Sequence, residues 1–239
     1  MTPEGWKAFC RFRTAFKEQT AEWAALEPEL HPLQLAAAAD NHTPAYPLET
    51  SVVYNTALDE VTETDDIRLI VVGDNPGKDE QRQVNRRYLV GQSGKIAEGF
   101  FRKNPELGID FRKNVIILNK TPVHTAKTKE LGFLVKNGSP QVVRLIEESQ
   151  RWMALHTAEL SSALGCPLWL VGYSELGAKK LFAPYRETLI QFSVPVYLFQ
   201  HFSMNRFAID LAQNRDMSLS LAENLEKLGL RHRREILFI

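Results

Sequence analysis

Five polar side chains stand where apolar runs of this chain stop. Leu69-Ile70-Val71-Val72 runs into the turn Gly73-Asp74-Asn75-Pro76-Gly77, Val115-Ile116-Ile117-Leu118 ends at Asn119, and Val196-Tyr197-Leu198-Phe199 leads into His201 and Ser203. The set holds a carboxylate, two carboxamides, an imidazole and a hydroxyl. A carboxamide carries a donor beside an acceptor, so it can read the edge of a planar imide or amide such as a nucleobase. An imidazole can donate to an oxygen that gains charge in a transition state, and Asn or Asp can orient a water. Each residue also suits a purely structural role. Gly, Asp, Asn and Pro dominate turns for local backbone reasons, an isolated His after a strand is usually a satisfied core residue, and Asn119 could tie a loop.

The elements that must position these groups give the set its weight. Short aliphatic runs without alternation suit central parallel strands covered on both faces. Strands are expected at 67–72, 114–119, 167–171 and 195–199. Helices are expected at 93–101, at 139–164 with Ser139 as cap, Pro140 just inside and Gly165 as stop, at 174–182, from about residue 206, and at 218–228. This alternation implies right-handed crossovers and a three-layer α/β/α sandwich around a central, mainly parallel four-stranded sheet. Ligands bind such sheets beyond the carboxyl ends of the strands, where Asp74, Asn75, Asn119, His201 and Ser203 would converge. Ahead of this unit (67–239), residues 1–66 read as an N-terminal helix and an arm packing on the core. Thr2 caps that helix, Pro3 opens it, and Trp6, Phe9, Phe16 and Trp23 share one face. Residues 27–66 read as a loop with short helical pieces, 52–54 as a short extended piece, and the tail from Arg234 as an edge strand or packing arm.

The 239 residues balance 29 Lys and Arg against 29 Asp and Glu, with 44% hydrophobic content. Zero net charge argues against a bulk electrostatic nucleic-acid binder but leaves room for a basic patch on one face. No apolar run approaches the ~20 residues that cross a bilayer, so no membrane partner is expected. The first residues lack a signal-peptide pattern. Two cysteines, Cys10 and Cys166, make neither a disulfide framework nor a metal site. A cytoplasmic monomer without metal or other cofactor is the expectation. Gly91-Gln92-Ser93-Gly94-Lys95 lacks the spacing and the hydroxyl after Lys that a P-loop needs, and no GxSxG is present.

The ordered motifs resemble the uracil-DNA glycosylase superfamily over about 67–205. GDNPG resembles its first motif. Tyr88-Leu89-Val90-Gly91-Gln92-Ser93-Gly94-Lys95 resembles the PFVGxSGK segment of the bacterial and archaeal four-cysteine class. Asn119 matches the base-reading Asn, LWLVGYSELGAKKLF the third strand with a following helix, and His201-Phe202-Ser203 the His-Pro-Ser motif. The resemblance implies that Asn75 holds the attacking water with Asp74 beside it, Asn119 bonds the imide edge of a flipped uracil, and His201 donates to the uracil O2. It further implies that Leu89 or Tyr88 packs on the base, Gly77 borders the pocket, Ser93, Gly94, Lys95 and Ser203 pinch phosphates, and Met204 and Arg206 form a wedge.

Departures from the family pattern are specific. The cluster cysteines are missing, so no iron–sulfur cluster is expected. Leu89 replaces a stacking Phe, Phe202 replaces Pro, and Gly77 stands where the classical enzymes carry a bulky Tyr, which leaves a broader pocket. The implied function is excision of uracil or a related deaminated base from DNA. The alternative is a catalytically silent member of the fold that binds nucleic acid or a nucleobase.

Overall fold

Thirteen of the eighteen residues in the four strands are Val, Ile or Leu, and all eighteen but Tyr197 are buried. A computed structural model describes residues 1–237. Its strands are β1 (Leu69–Gly73), β2 (Val115–Asn119), β3 (Leu168–Val171) and β4 (Val196–Phe199). They form one sheet in the order β2-β1-β3-β4, every pair parallel. Helices flank the sheet, which makes the three-layer α/β/α fold expected from the sequence. The register pairs Gly73 with Asn119 at the carboxyl ends of the two strands, so the turn after β1 and the Asn that ends β2 lie side by side.

The helices are α1 (Pro3–Ala24), α2 (Glu27–Asp40), α3 (Gln92–Lys103), α4 (Glu130–Asn137), α5 (Pro140–Leu164), α6 (Ala183–Leu189), α7 (Arg206–Gln213) and α8 (Leu221–Leu237). α1 follows its sequence signals: Thr2 accepts from the Gly5 N–H, Pro3 opens the first turn, and Phe9, Phe16 and Trp23 are buried. It packs on α5 through Phe12 and Phe16 against Trp152. α5 starts at the Ser139 cap and stops at Gly165, whose φ of 64° places it in the left-handed region.

Several expected boundaries differ. Residues 27–40 form one helix, α2, where short helical pieces were expected: Pro28 sits in the first turn and costs no hydrogen bond there, and the helix continues past Pro32 in its interior. The helix expected at 174–182 is a series of turns. Phe182 N–H closes them back onto Glu175 O at 2.9 Å, Gly177 weakens helix locally, and Pro184 starts α6 instead. α4 was not anticipated. α8 runs on through Gly229, where a Cβ would lie 2.7 Å from Tyr197 Cβ. That glycine lets the helix approach β4 and does not end it. Ser220 and Glu223 form a reciprocal capping box at its start. Residues 234–237 are the last turn of α8, not a strand; Phe238 and Ile239 lie outside the described residues. The extended piece at 52–54 makes one antiparallel bridge, Val52 to Val123. No described helix is long and apolar enough to cross a membrane.

Candidate functional site

A cleft of about 490 Å³ opens above the carboxyl ends of the parallel strands. Ten sequence-derived residues line it: Asp74, Asn75, Gly77, Leu89, Ser93, Asn119, His201, Ser203, Met204 and Arg206. Three others do not. Tyr88 is buried on the opposite side of its loop, with its hydroxyl donating to Val53 O at 2.6 Å. Leu89 takes φ 50°, and this turn sends neighbouring side chains to opposite sides, so Leu89 reaches the cleft and Tyr88 the core. Gly94 is buried beneath the loop. A Cβ there would lie 1.5 Å from Leu89 O, so the glycine serves close approach of α3 to residue 89. Lys95 is exposed and faces a neighbouring groove.

Asn75 is held by its amide nitrogen. Nδ2 donates to Thr125 Oγ1 at 2.9 Å and to the carbonyls of Thr125 and Pro76 at 3.2 Å each. Carbonyl oxygens accept only, which fixes the amide orientation and leaves Oδ1 to accept a hydrogen from a water. Asn119 lies at the end of β2, 2% exposed, with Oδ1 2.6 Å from where a Cβ at residue 73 would sit. Only glycine at 73 leaves room for it. Its Nδ2 is buried with no hydrogen-bond partner among the described residues. An orphaned buried donor costs about 1–3 kcal/mol, and a ligand acceptor in the cleft would recover it.

His201 Nδ1 accepts the Ser203 backbone N–H at 3.1 Å and lies 2.8 Å from Ser203 Oγ. A backbone N–H can only donate, so in the neutral ring the proton sits on Nε2. Burial holds the imidazole below its ordinary pKa; Asp74 opposes this and Lys120 reinforces it. The ring is therefore a neutral Nε2–H donor.

Asp74 is less free than the sequence implied. Oδ1 accepts from Lys120 Nζ at 2.6 Å and Oδ2 from the Thr128 hydroxyl at 3.2 Å. Lys120 is fully buried, and its ammonium also donates to Gly172 O at 2.9 Å, Val171 O at 3.3 Å and Gly73 O at 3.4 Å. One cation thus joins the ends of β1 and β3 from the residue after β2. Burial pushes its pKa down, while Asp74 opposes the shift. Gly172, at φ 85°, lets β3 turn away beside the Asp74 carboxylate, 3.0 Å from where its Cβ would be.

Glu80 braces the cleft wall. Its oxygens accept from Gly77 N at 3.0 Å and Leu89 N at 2.7 Å. Burial pushes its pKa up to about 7, against these hydrogen bonds. His124 supports Pro76 from behind: Nδ1–H donates to Pro76 O at 2.8 Å, and Nε2 accepts the Tyr46 hydroxyl at 2.9 Å. Burial lowers its pKa to about 4.

The sequence reading missed Lys120, Glu80, Thr125 and Tyr173. Tyr173 is the one phenol ring lining the cleft among the described residues, and Gln200 Nε2 donates to its hydroxyl at 2.9 Å. A lysine inside Val115-Ile116-Ile117-Leu118-Asn119-Lys120-Thr121-Pro122-Val123 was the available signal, because a cation in so apolar a run is a candidate for burial with a partner. Both cysteines are free. Comparison with protein-family models, curated proteins and solved structures finds no match to this chain.

Proposed function

We propose that this protein is a DNA glycosylase of the uracil-DNA glycosylase type, hydrolysing the N-glycosidic bond of uracil or a related deaminated base. The observation that carries the reading is the meeting of three groups on one cleft: an Asn75 Oδ1 aimed by its fixed amide, the orphaned Asn119 Nδ2, and the neutral Nε2–H of His201. Asn119 reads the imide edge of an extruded base. His201 donates to the O2 that gains charge as the C1′–N1 bond breaks and its electron pair passes to the base. Asn75 Oδ1 accepts a hydrogen bond from the water whose oxygen bonds to C1′. One hydrogen of that water stays on the new C1′ hydroxyl and the other is released as a proton that ends on the departing base, so the products are free base and an abasic sugar. Tyr173 and Leu89 offer packing surfaces for the ring. The cost of extrusion, a few kcal/mol, is recovered by these contacts.

The test is incubation with uracil-containing single- and double-stranded oligonucleotides, followed by alkali. Cleavage is expected. Asn75→Ala and His201→Ala should each slow it by about 10²–10³-fold, the usual loss for one well-placed polar group. Because His201 acts as a neutral donor, activity should hold through neutral pH and fall on the acidic side, where the ring takes up a second proton. Absence of cleavage of either substrate, beside a control enzyme that cuts both, overturns the reading for uracil.

The engagement of both Asp74 oxygens by Lys120 and Thr128 favours a second reading, a nucleobase-binding protein without turnover. Uracil-dependent binding without cleavage, unchanged in Asn75→Ala, is its signature.

A further inference from the structure

Beside the cleft, α3 and the start of α7 enclose a second groove of about 400 Å³. Its floor is apolar, built on Ile96, Phe100 and Phe207, with the two phenyl rings edge to face at 4.9 Å. Its rim is cationic: Lys95, Arg102 and Lys103 are exposed. No acidic side chain among the described residues lines the groove. Among the described residues, none of the three cations has an ion-pair partner, although the neighbouring Glu98 is paired with Arg112.

Gly99 lies in the groove in mid-helix, and a Cβ there would meet nothing within 4 Å. Glycine is the poorest helix former after proline, and here no packing requires it. The missing side chain leaves an open bay next to Phe100. The groove also adjoins the cleft along the chain. Ser93 lines the cleft and Lys95 the groove, while Asn205 lines the groove between the cleft residues Met204 and Arg206.

An aromatic floor under a cationic rim matches a single-stranded polynucleotide, whose unpaired bases stack on rings while its phosphates meet Lys and Arg. A duplex offers no free base face to such a floor. The rim cations span residues 95–103 of one helix, about 12 Å along its axis, room for more than one phosphate.

We infer that this groove holds the unpaired DNA segment adjoining the nucleotide in the cleft, with a base in the bay over Gly99 against Phe100 and phosphates against Lys95, Arg102 and Lys103. The inference rests on the reading of the cleft as a nucleobase site.

The test is fluorescence anisotropy of the full chain with a uracil-free (dT)12 strand and with a 12-base-pair duplex, across a salt series. Tighter binding of the single strand is expected. The triple variant K95E/R102E/K103E should weaken it at least tenfold. It should also make the slope of log K against log salt shallower by about 2, since each phosphate left without its cation removes roughly 0.7. Gly99→Leu fills the bay with a better helix former. It should weaken (dT)12 binding about fivefold with no fall in unfolding midpoint, whereas Gly99→Ala should bind as the parent does. Equal (dT)12 binding by parent and Gly99→Leu overturns the inference. So does displacement of (dT)12 by polyglutamate of matched charge at the same concentration, which would mark a surface for acidic proteins. Loss of uracil excision with groove-dependent binding intact removes only the catalytic reading. Excision with binding insensitive to these variants removes only the groove.

Discussion

Glu80 places a buried carboxylate between two backbone N–H groups of the cleft wall. With a pKa of about 7 in the fold against 4.5 as the ordinary value, the folded state binds more protons than the unfolded chain between those pH values. Stability from this group is therefore full below about pH 4.5 and is lost as pH rises through about 7, on the order of 3 kcal/mol. His124 runs the other way. Its lowered pKa means that the unfolded chain gains the proton first, so its contribution is lost as pH falls from 6.5 toward 4. Glu80→Gln isolates the first effect. In denaturant unfolding, the stability of the parent relative to Glu80→Gln should decrease from pH 5 to pH 8; a constant difference would show that Glu80 does not titrate in that range. Asn75, Asn119 and His201 were legible because a polar residue at the end of an apolar strand is visible in one dimension. Glu80 and Lys120 were not, since Glu80 beside the exposed Asp79 and Lys120 just past the end of an apolar strand both look solvated until neighbours from distant segments bury them.

Close approach between elements explains Gly94 and Gly229. Gly94 allows α3 to pass beneath Leu89, whose carbonyl also accepts from Arg112 Nη2 at 2.8 Å. Gly94→Ala must separate helix and loop, and a loss of about 3 kcal/mol or more is expected, at or beyond the upper end of ordinary overpacking. Gly99→Ala in the same helix meets no neighbour and should gain up to about 1 kcal/mol. Unfolding midpoints of the pair check both; equal midpoints would show that the Leu89 contact yields at no cost. Gly229 hid the length of α8 in the same way, since only contact with Tyr197 and Phe199 reveals why a helix would keep it. The four strands and α5 were readable because aliphatic runs and paired caps carry their own boundaries. α4 was not: its eight residues bury only Glu130, Leu131 and Leu134, too few to set a period, and Glu130 is satisfied by Thr43 and by the backbone at 126 and 127.

Across the whole molecule, the sheet packs within its helices and the N-terminal segment is fastened to that unit by aromatic contacts. Phe16 is fully buried between Trp152 of α5 and Tyr54 of the loop, at 5.6 and 5.5 Å. Phe16→Ala should cost about 3–5 kcal/mol of global stability, read as a lowered denaturant midpoint with an unchanged m-value; a change near zero would show that residues 1–66 contribute little to holding the core. The buried ammonium of Lys120 has a wider consequence. By gripping carbonyls of Gly73, Val171 and Gly172 together with the carboxylate of Asp74, it makes the base of the cleft an anvil. Such a surface does not mould itself to a guest. Any bending or twisting needed for entry is borne by the guest, and candidates are sorted by how cheaply each one deforms.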